Sequence, residues 1–208
     1  MPRVRVHQHV NPLSPYYGRE PRPIQLREIY ARPECPLHLD IGCARGRFIL
    51  RMAEAEPEWN FLGVEIREPL VIEANGIAAE AGLDNLHYEF CNAMLWLDRL
   101  IAEIPAGLLQ RVSIQFPDPW FKKRHSKRRM VNGAMLDAIA GRLAIGGRVF
   151  VQTDIEPLSA EMFTLFREHF AFEPTDTTEN AFPIKTEREN AVEAKGLPVY
   201  RAGFLRRE

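Results

Sequence analysis

Apolar and polar positions along this chain fall into alternating blocks, each the length of one strand or one helix. LHLDIG (37–42) is a short apolar run closing on Asp-Ile-Gly, the pattern of a buried strand entering a turn. RGRFILRMAEAEP follows it and puts Phe48, Ile49, Met52 and Ala53 on one helical face before Pro57 stops it. The alternation then repeats. NFLGVEI (60–66) predicts a second strand, and EPLVIEANGIAAEAG a helix with Pro69 in its first turn and Gly82 at its stop. NLHYEFCNA (85–93) predicts a third strand, with a short helix near 94–101. RVSIQFPD (111–118) and GRVFVQTD (147–154) predict a fourth and a fifth. Between these two, the helix over 132–143 buries Met135, Leu136, Ile139 and Leu143, and Gly146-Gly147 ends it. A helix near 158–170 and a last strand in VYRAGFLRR complete the pattern.

Such alternation predicts an α/β fold: a mostly parallel sheet with helices on both faces. Ligands of such folds bind beyond the carboxyl ends of the strands. The residues there are Asp40-Ile41-Gly42, Glu65, Asn92, Pro117-Asp118 and Thr153-Asp154. Four strands thus end in an acid and one in an amide. The first 36 residues break the pattern. They hold seven prolines and six arginines and read as an N-terminal arm, either extended and wrapped over the domain or a partly disordered tail, leaving 37–208 as the domain.

Composition adds limits. With 208 residues, 46% apolar and 26% charged, the chain is of ordinary size for one globular domain. No apolar run approaches a membrane span, and MPRVRVHQHVNPLSPYY lacks the apolar core of a secretory signal. A cytoplasmic location is the expectation. Cys35, Cys43 and Cys91 are too few and too scattered for a disulfide framework or a zinc site. His7-x-His9 is an isolated pair, so no metal is expected.

Charge changes the picture more. The net charge is −1, yet six of the eight residues from 122 to 129 are Lys or Arg; without them the rest carries −7. A solvated helix face mixes signs, and this stretch does not. Asymmetry of this kind points to an anionic partner at one place.

The first turn, DIGCARG, has Gly42 and Gly46 where a backbone must approach a ligand closely. It is not G-x-G-x-x-G, and no P-loop lysine accompanies it, so a pyrophosphate cradle is disfavoured. Glu65 can accept hydrogen bonds from both hydroxyls of a ribose. Asn92 can pair with an adenine edge. Asp40 can hold an amino group, directly or through water. A ligand with an adenosine, a cationic centre and no phosphate suits this set, and S-adenosylmethionine has those parts.

LDIGCARG, GVEIR, FPDPWFKKRHSKRR, QTD and TERE, in that order and spacing, resemble the bacterial tRNA (guanine-N7)-methyltransferase family, the TrmB family. RVHQHVNPL is similar to the family's arm. The resemblance covers nearly the whole chain, and PDPWFKKRHSKRR is its most specific part. It implies a class I methyltransferase (Rossmann-like) fold with seven strands, S-adenosylmethionine as donor and the variable loop of tRNA, position 46, as target. It assigns Asp40, Glu65, Asn92 and Asp118 to the cofactor. It assigns Lys122, Asp154, and Thr186 with Glu189 to the substrate, and the run Arg124, His125, Lys127, Arg128, Arg129 to RNA. The chain departs from the family at Asp40, often Glu; at Ala44, often Gly; and at Asn92, often Asp. Bacterial members include single-chain enzymes, so a monomer or homodimer without an obligatory protein partner is implied.

Chemistry fits these residues. Guanine N7 has an in-plane lone pair and no proton, so it needs alignment rather than a base. Asp118 could accept from guanine N1–H and the amino group, which grow more acidic as N7 is alkylated. Trp120 is either a stacking surface for a base or packing beneath the loop. Pro117 and Pro119 stiffen the loop. The motif resembles the Asp-Pro-Pro-Tyr loop of amino-methyltransferases but lacks its double proline. T-E-R-E (186–189) is also a capping box for a short helix, and Asp154 can cap the helix after it. The alternatives are methylation of another RNA base or an exocyclic amine, and an RNA-binding module on an inactive methyltransferase fold.

Overall fold

In the computed structural model, residues 10–177 and 179–208 are described, Lys123 by its backbone alone. His7 and His9 lie outside these residues. Seven strands form one sheet in the order β3-β2-β1-β4-β5-β7-β6. β1 is Leu37–Ile41, β2 Asn60–Glu65, β3 Leu86–Phe90, β4 Leu109–Gln115, β5 Arg148–Thr153, β6 Phe172–Thr175 and β7 Tyr200–Arg206. The first five pair in parallel, and β7 runs antiparallel between β5 and β6. β1 and β2 are buried at every position, as strands covered on both faces must be.

Helices α1 (Leu26–Ile29), α2 (Arg47–Ala55), α3 (Glu68–Glu80), α4 (Ala93–Leu100), α5 (Gly133–Arg142), α6 (Glu156–Glu168) and α7 (Glu187–Glu193) link the strands. Two apolar clusters result. α2 and α3 press Ile49, Met52 and Ala74 onto Phe61 and Tyr88. α4, α5 and α6 press Leu97, Ile139 and Phe166 onto Leu39, Ile114 and Val151. The expected Phe48, Ile49, Met52 and Ala53 face is buried, as are Met135, Leu136, Ile139 and Leu143.

β6 is the strand that the apolar pattern does not announce. It is four residues long, ends the sheet and contains Pro174, which only an edge position tolerates. The arm packs on the domain over its described residues: Ile24, Leu26 and Tyr30 join the core, and the Tyr30 hydroxyl donates to the Phe61 carbonyl at 2.8 Å. Among the described residues, no helix is long and apolar enough to cross a membrane.

Candidate functional site

A cleft of about 940 Å³ opens over the carboxyl ends of the parallel strands, where the topology reverses between β1 and β4. The turn after β1 shapes its floor. Gly42, Ala44 and Gly46 all take positive φ (81°, 53° and 69°). Gly46 is obligatory on two counts, since a Cβ there would also lie 2.2 Å from the Tyr88 ring. Ala44 accepts the strained conformation, and its amide N–H points at Glu65 Oε2, 2.9 Å away.

Glu65 is 3% exposed, and its carboxylate takes four donors. Besides Ala44 N–H, the Arg67 backbone N–H (3.0 Å), Nε (2.8 Å) and Nη2 (3.1 Å) all donate to it. That fills the acceptor sites of a carboxylate. Burial alone would lower the Arg67 pKa; the hydrogen bonds and charge of Glu65, and the charge of Asp118, more than offset it and raise it. Arg67 thus bonds one strand-tip acid, Glu65, and feels the charge of a second, Asp118.

Asp40 is held from behind. Ser113 Oγ donates to Asp40 Oδ1 at 2.5 Å, and Gln115 Nε2 reaches the same oxygen at 3.5 Å. His38 Nε2 lies 2.9 Å from Ser113 Oγ. Because the hydroxyl proton goes to Asp40, Nε2 must carry the proton that His38 gives to Ser113. Burial keeps the imidazole neutral by lowering its pKa, and Arg111 adds to this. Burial pushes the Asp40 carboxyl up to about 6; the Ser113 and Gln115 hydrogen bonds oppose that rise, and the Glu65 charge adds to it.

Asn92 lines the cleft between β3 and α4 and is 2% exposed. Its Nδ2 donates to the carbonyls of Pro12 (2.8 Å) and Tyr17 (3.3 Å), both in the arm.

The β4 loop brings the motif to the cleft mouth. Phe116 and Trp120 bracket Pro117-Asp118-Pro119, and both have positive φ (51° and 43°). Bulky residues adopt this region only under constraint, and such strain gathers at functional sites. Asp118 lines the cleft. The Trp120 ring is engaged: Arg128 lies 5.0 Å over its face and His125 meets it edge-on at 5.8 Å. Phe121, next in sequence, is 74% exposed on the cleft rim.

A short 3-10 turn, Lys123–Arg128, carries the basic run. Lys122, Arg124 and Lys127 are exposed. Slight desolvation and the charges of Arg128, Arg124 and Lys122 lower the pKa of His125. Arg129 differs from its neighbours. It pairs with Glu161 of α6 and donates through Nε to the Pro119 carbonyl at 3.0 Å, so it braces the loop.

Asp154 lines the cleft and pairs with Arg188. It does not cap α6, whose N-cap is Ile155. Thr186 does cap α7: its Oγ1 accepts the Glu189 N–H at 3.0 Å, and it also lines the cleft. Glu189 is fully buried. It accepts from Gln152 (3.1 Å), Asn180 (2.7 Å) and Arg201 (2.8 Å) and is not part of the cleft lining. Arg67, Ser113 and Phe121 carry roles that the sequence does not announce, whereas an arm wrapped over the domain is one of the two expectations for residues 1–36. Only Phe121, an aromatic directly before a cationic run, carried a signal in the sequence that could have revealed it.

The 3-2-1-4-5-7-6 sheet is that of the class I methyltransferase fold. A family described as "Putative methyltransferase" matches residues 34–202. The tRNA (guanine-N(7)-)-methyltransferase of Trichormus variabilis is 53% identical over 210 residues, covering 99% of this chain and 98% of that protein. That of Synechococcus elongatus is 55% identical over 213 residues, covering 99% and 98%. The chain belongs to this tRNA (guanine-N(7)-)-methyltransferase family. The crystal structure of the antibiotic-resistance methyltransferase Kmr overlays with a TM-score of 0.58 at 16% identity, covering 88% of this chain and 90% of that one, a likeness of fold alone.

Proposed function

We propose that this chain transfers the methyl group of S-adenosylmethionine to N7 of guanine 46 in the variable loop of tRNA. The observation that carries the proposal is the meeting, in one cleft, of four strand-tip acids (Asp40, Glu65, Asp118 and Asp154) with Phe121 and Arg128, the residues that flank the exposed cations Lys122, Arg124 and Lys127. A phosphate-bearing cofactor would be repelled by Asp40, Glu65 and Asp118. A cofactor with a cationic end and paired hydroxyl donors fits. Glu65 already accepts paired donors from Arg67, and ribose hydroxyls would take over those acceptor sites as Arg67 turns aside. Asp40, directed by Ser113, would receive the amino group. Asn92 would face the adenine.

When bound, the cofactor supplies an electrophilic methyl on a sulfonium. The protein's own part is alignment and charge. Asp118, held by flanking prolines between two strained residues, would accept from guanine N1–H and the exocyclic amine as positive charge grows on the purine. Lys122, Arg124, Lys127 and Arg128 would bind the RNA backbone, and Asp154 and Thr186 would meet the nucleotide from the far wall. Phe121 is the ring open for a base to stack on, because Trp120 is already engaged by Arg128 and His125. One chain carries both the acids and the cations, so the activity needs no partner subunit. A tRNA substrate accords with a cytoplasmic enzyme.

The test is methyl transfer from labelled S-adenosylmethionine to unmodified tRNA, followed by aniline cleavage at 7-methylguanine. Label with cleavage at position 46 is expected. Label without cleavage would move the target to a carbon or an exocyclic amine. RNA binding without label would make the chain an inactive binding module.

A further inference from the structure

The N-terminal arm follows one stripe of α4. Asn92 Nδ2 holds the Pro12 and Tyr17 carbonyls, and Trp96 Nε1 holds the Gly18 carbonyl at 3.2 Å. Arg99 pairs with Glu20 at 2.9 Å, and the Ile24 N–H donates to the Leu100 carbonyl at 2.9 Å. Gln25 donates to Glu103. Asn92 at the N-cap of α4, Trp96 and Arg99 recur with the helical period, and Leu100 and Glu103 carry the line into the turn that follows, so the arm is laced along one side of α4. Where the lacing begins, Val10 and Pro12 form part of the cleft wall, beside Cys91, Asn92 and Ala93.

Asn92 is the hinge of this arrangement. Both arm groups that it meets are carbonyl oxygens, so the side chain must donate. An aspartate at 92 would set a carboxylate against two acceptors and lose both bonds. The amide therefore spends its nitrogen on the arm and keeps its oxygen for other donors.

We infer that the arm, through Val10 and Pro12, is a wall of the cofactor site latched by Asn92, so that docking of the segment 10–25 and cofactor binding reinforce each other. The inference rests on the cofactor reading above. A ligand that binds only the docked form stabilises it, and by reciprocity a loosened arm weakens the ligand. Residues 17–25 belong to the laced segment but do not line the cleft, so any response they show to ligand reports docking rather than cover.

The experiment is hydrogen exchange on the full chain, with and without saturating S-adenosylhomocysteine, read on peptides within 17–25. Exchange there should slow about 5-fold or more, the size of an ordinary coupling between sites. Unchanged exchange, with binding verified by calorimetry, overturns the inference. A second arm uses the double variant Trp96→Phe/Arg99→Ala, whose positions lie outside the cleft lining. It should speed exchange over 17–25 and raise the calorimetric Kd by a similar factor. A faster arm with an unchanged Kd would also overturn the inference. If the unaltered chain takes up no adenosyl ligand at all, the proposed function fails instead, and the two failures are distinct.

Discussion

The floor of the cleft and its basic rim are built on opposite plans. On the floor every acid is engaged before a ligand arrives: Asp40 by Ser113, Glu65 by Ala44 and Arg67. On the rim Lys122, Arg124 and Lys127 face solvent. A buried, hydrogen-bonded carboxylate selects by geometry, because only a ligand that replaces its donors avoids a desolvation penalty. Exposed cations select by charge alone and act at a distance set by salt. The difference teaches how one small domain can recognise a compact donor strictly and a long polyanion loosely.

That contrast can be broken in order of effect. Asp118→Asn stands where the two plans meet and should lower kcat by about 10²–10³-fold, the usual cost of losing one oriented charge-stabilising group. Single-turnover transfer with saturating tRNA and cofactor would read it. A near-normal kcat would remove Asp118 from the chemistry.

The rim comes next. Replacing Lys122, Arg124 and Lys127 with alanine together should lower the slope of log K for tRNA against log salt by about 2–3, at ~0.7–0.9 for each phosphate released. Adenosylhomocysteine affinity should stay level. Arg129→Ala should behave differently. It breaks a bridge to Glu161 and frees the Pro119 carbonyl, so its main effect should be a lower melting temperature, with a slope change below about 1. A full unit of slope lost at Arg129 with no loss of stability would put it among the RNA contacts.

The smallest effect concerns pH. Asp40 has a pKa of about 6 in the fold against 3.8 outside it. A cationic amino group needs the carboxylate, so cofactor affinity should weaken as pH falls through about 6. Stability runs the other way. The raised pKa means that the folded chain binds this proton more tightly than the unfolded one, so Asp40 costs stability as pH rises from about 4 to 6, up to about 3 kcal/mol. Asp40→Asn should therefore melt higher than the unaltered chain at pH 7.5 while binding the cofactor worse. Ser113→Ala, which removes a bond that lowers the pKa, should move the affinity midpoint upward.

Much of this molecule is legible in its sequence, and the reasons are local. β1 and β2 announce themselves because strands buried on both faces are continuous apolar runs; Asp40 and Glu65 follow from where those runs stop, and Asp118 from the loop after β4. β6 stays hidden because an edge strand with Pro174 needs little apolar patterning. The role of Arg129 was invisible within six cations because its partner, Glu161, lies 32 residues further on. The ties of Asn92 to Pro12 and Tyr17 span more than twice that distance in the chain, 80 and 75 residues. Spacing did give the Thr186 cap, since a capping box is a four-residue event.

Glu189 carries a warning for mutational surveys. It joins α7 to Gln152 of the sheet, to Asn180 and to Arg201 of the last strand, and it is fully buried. A replacement that removes this carboxylate would take one bond from each of Gln152, Asn180 and Arg201, leave Glu193 as the carboxylate partner of Arg201, and let the Thr186–Arg188 lip of the cleft drift. An inactive Glu189 variant would be scored as a lost nucleotide contact when the lesion was a collapsed wall, and only a melting curve beside the assay would tell the two apart.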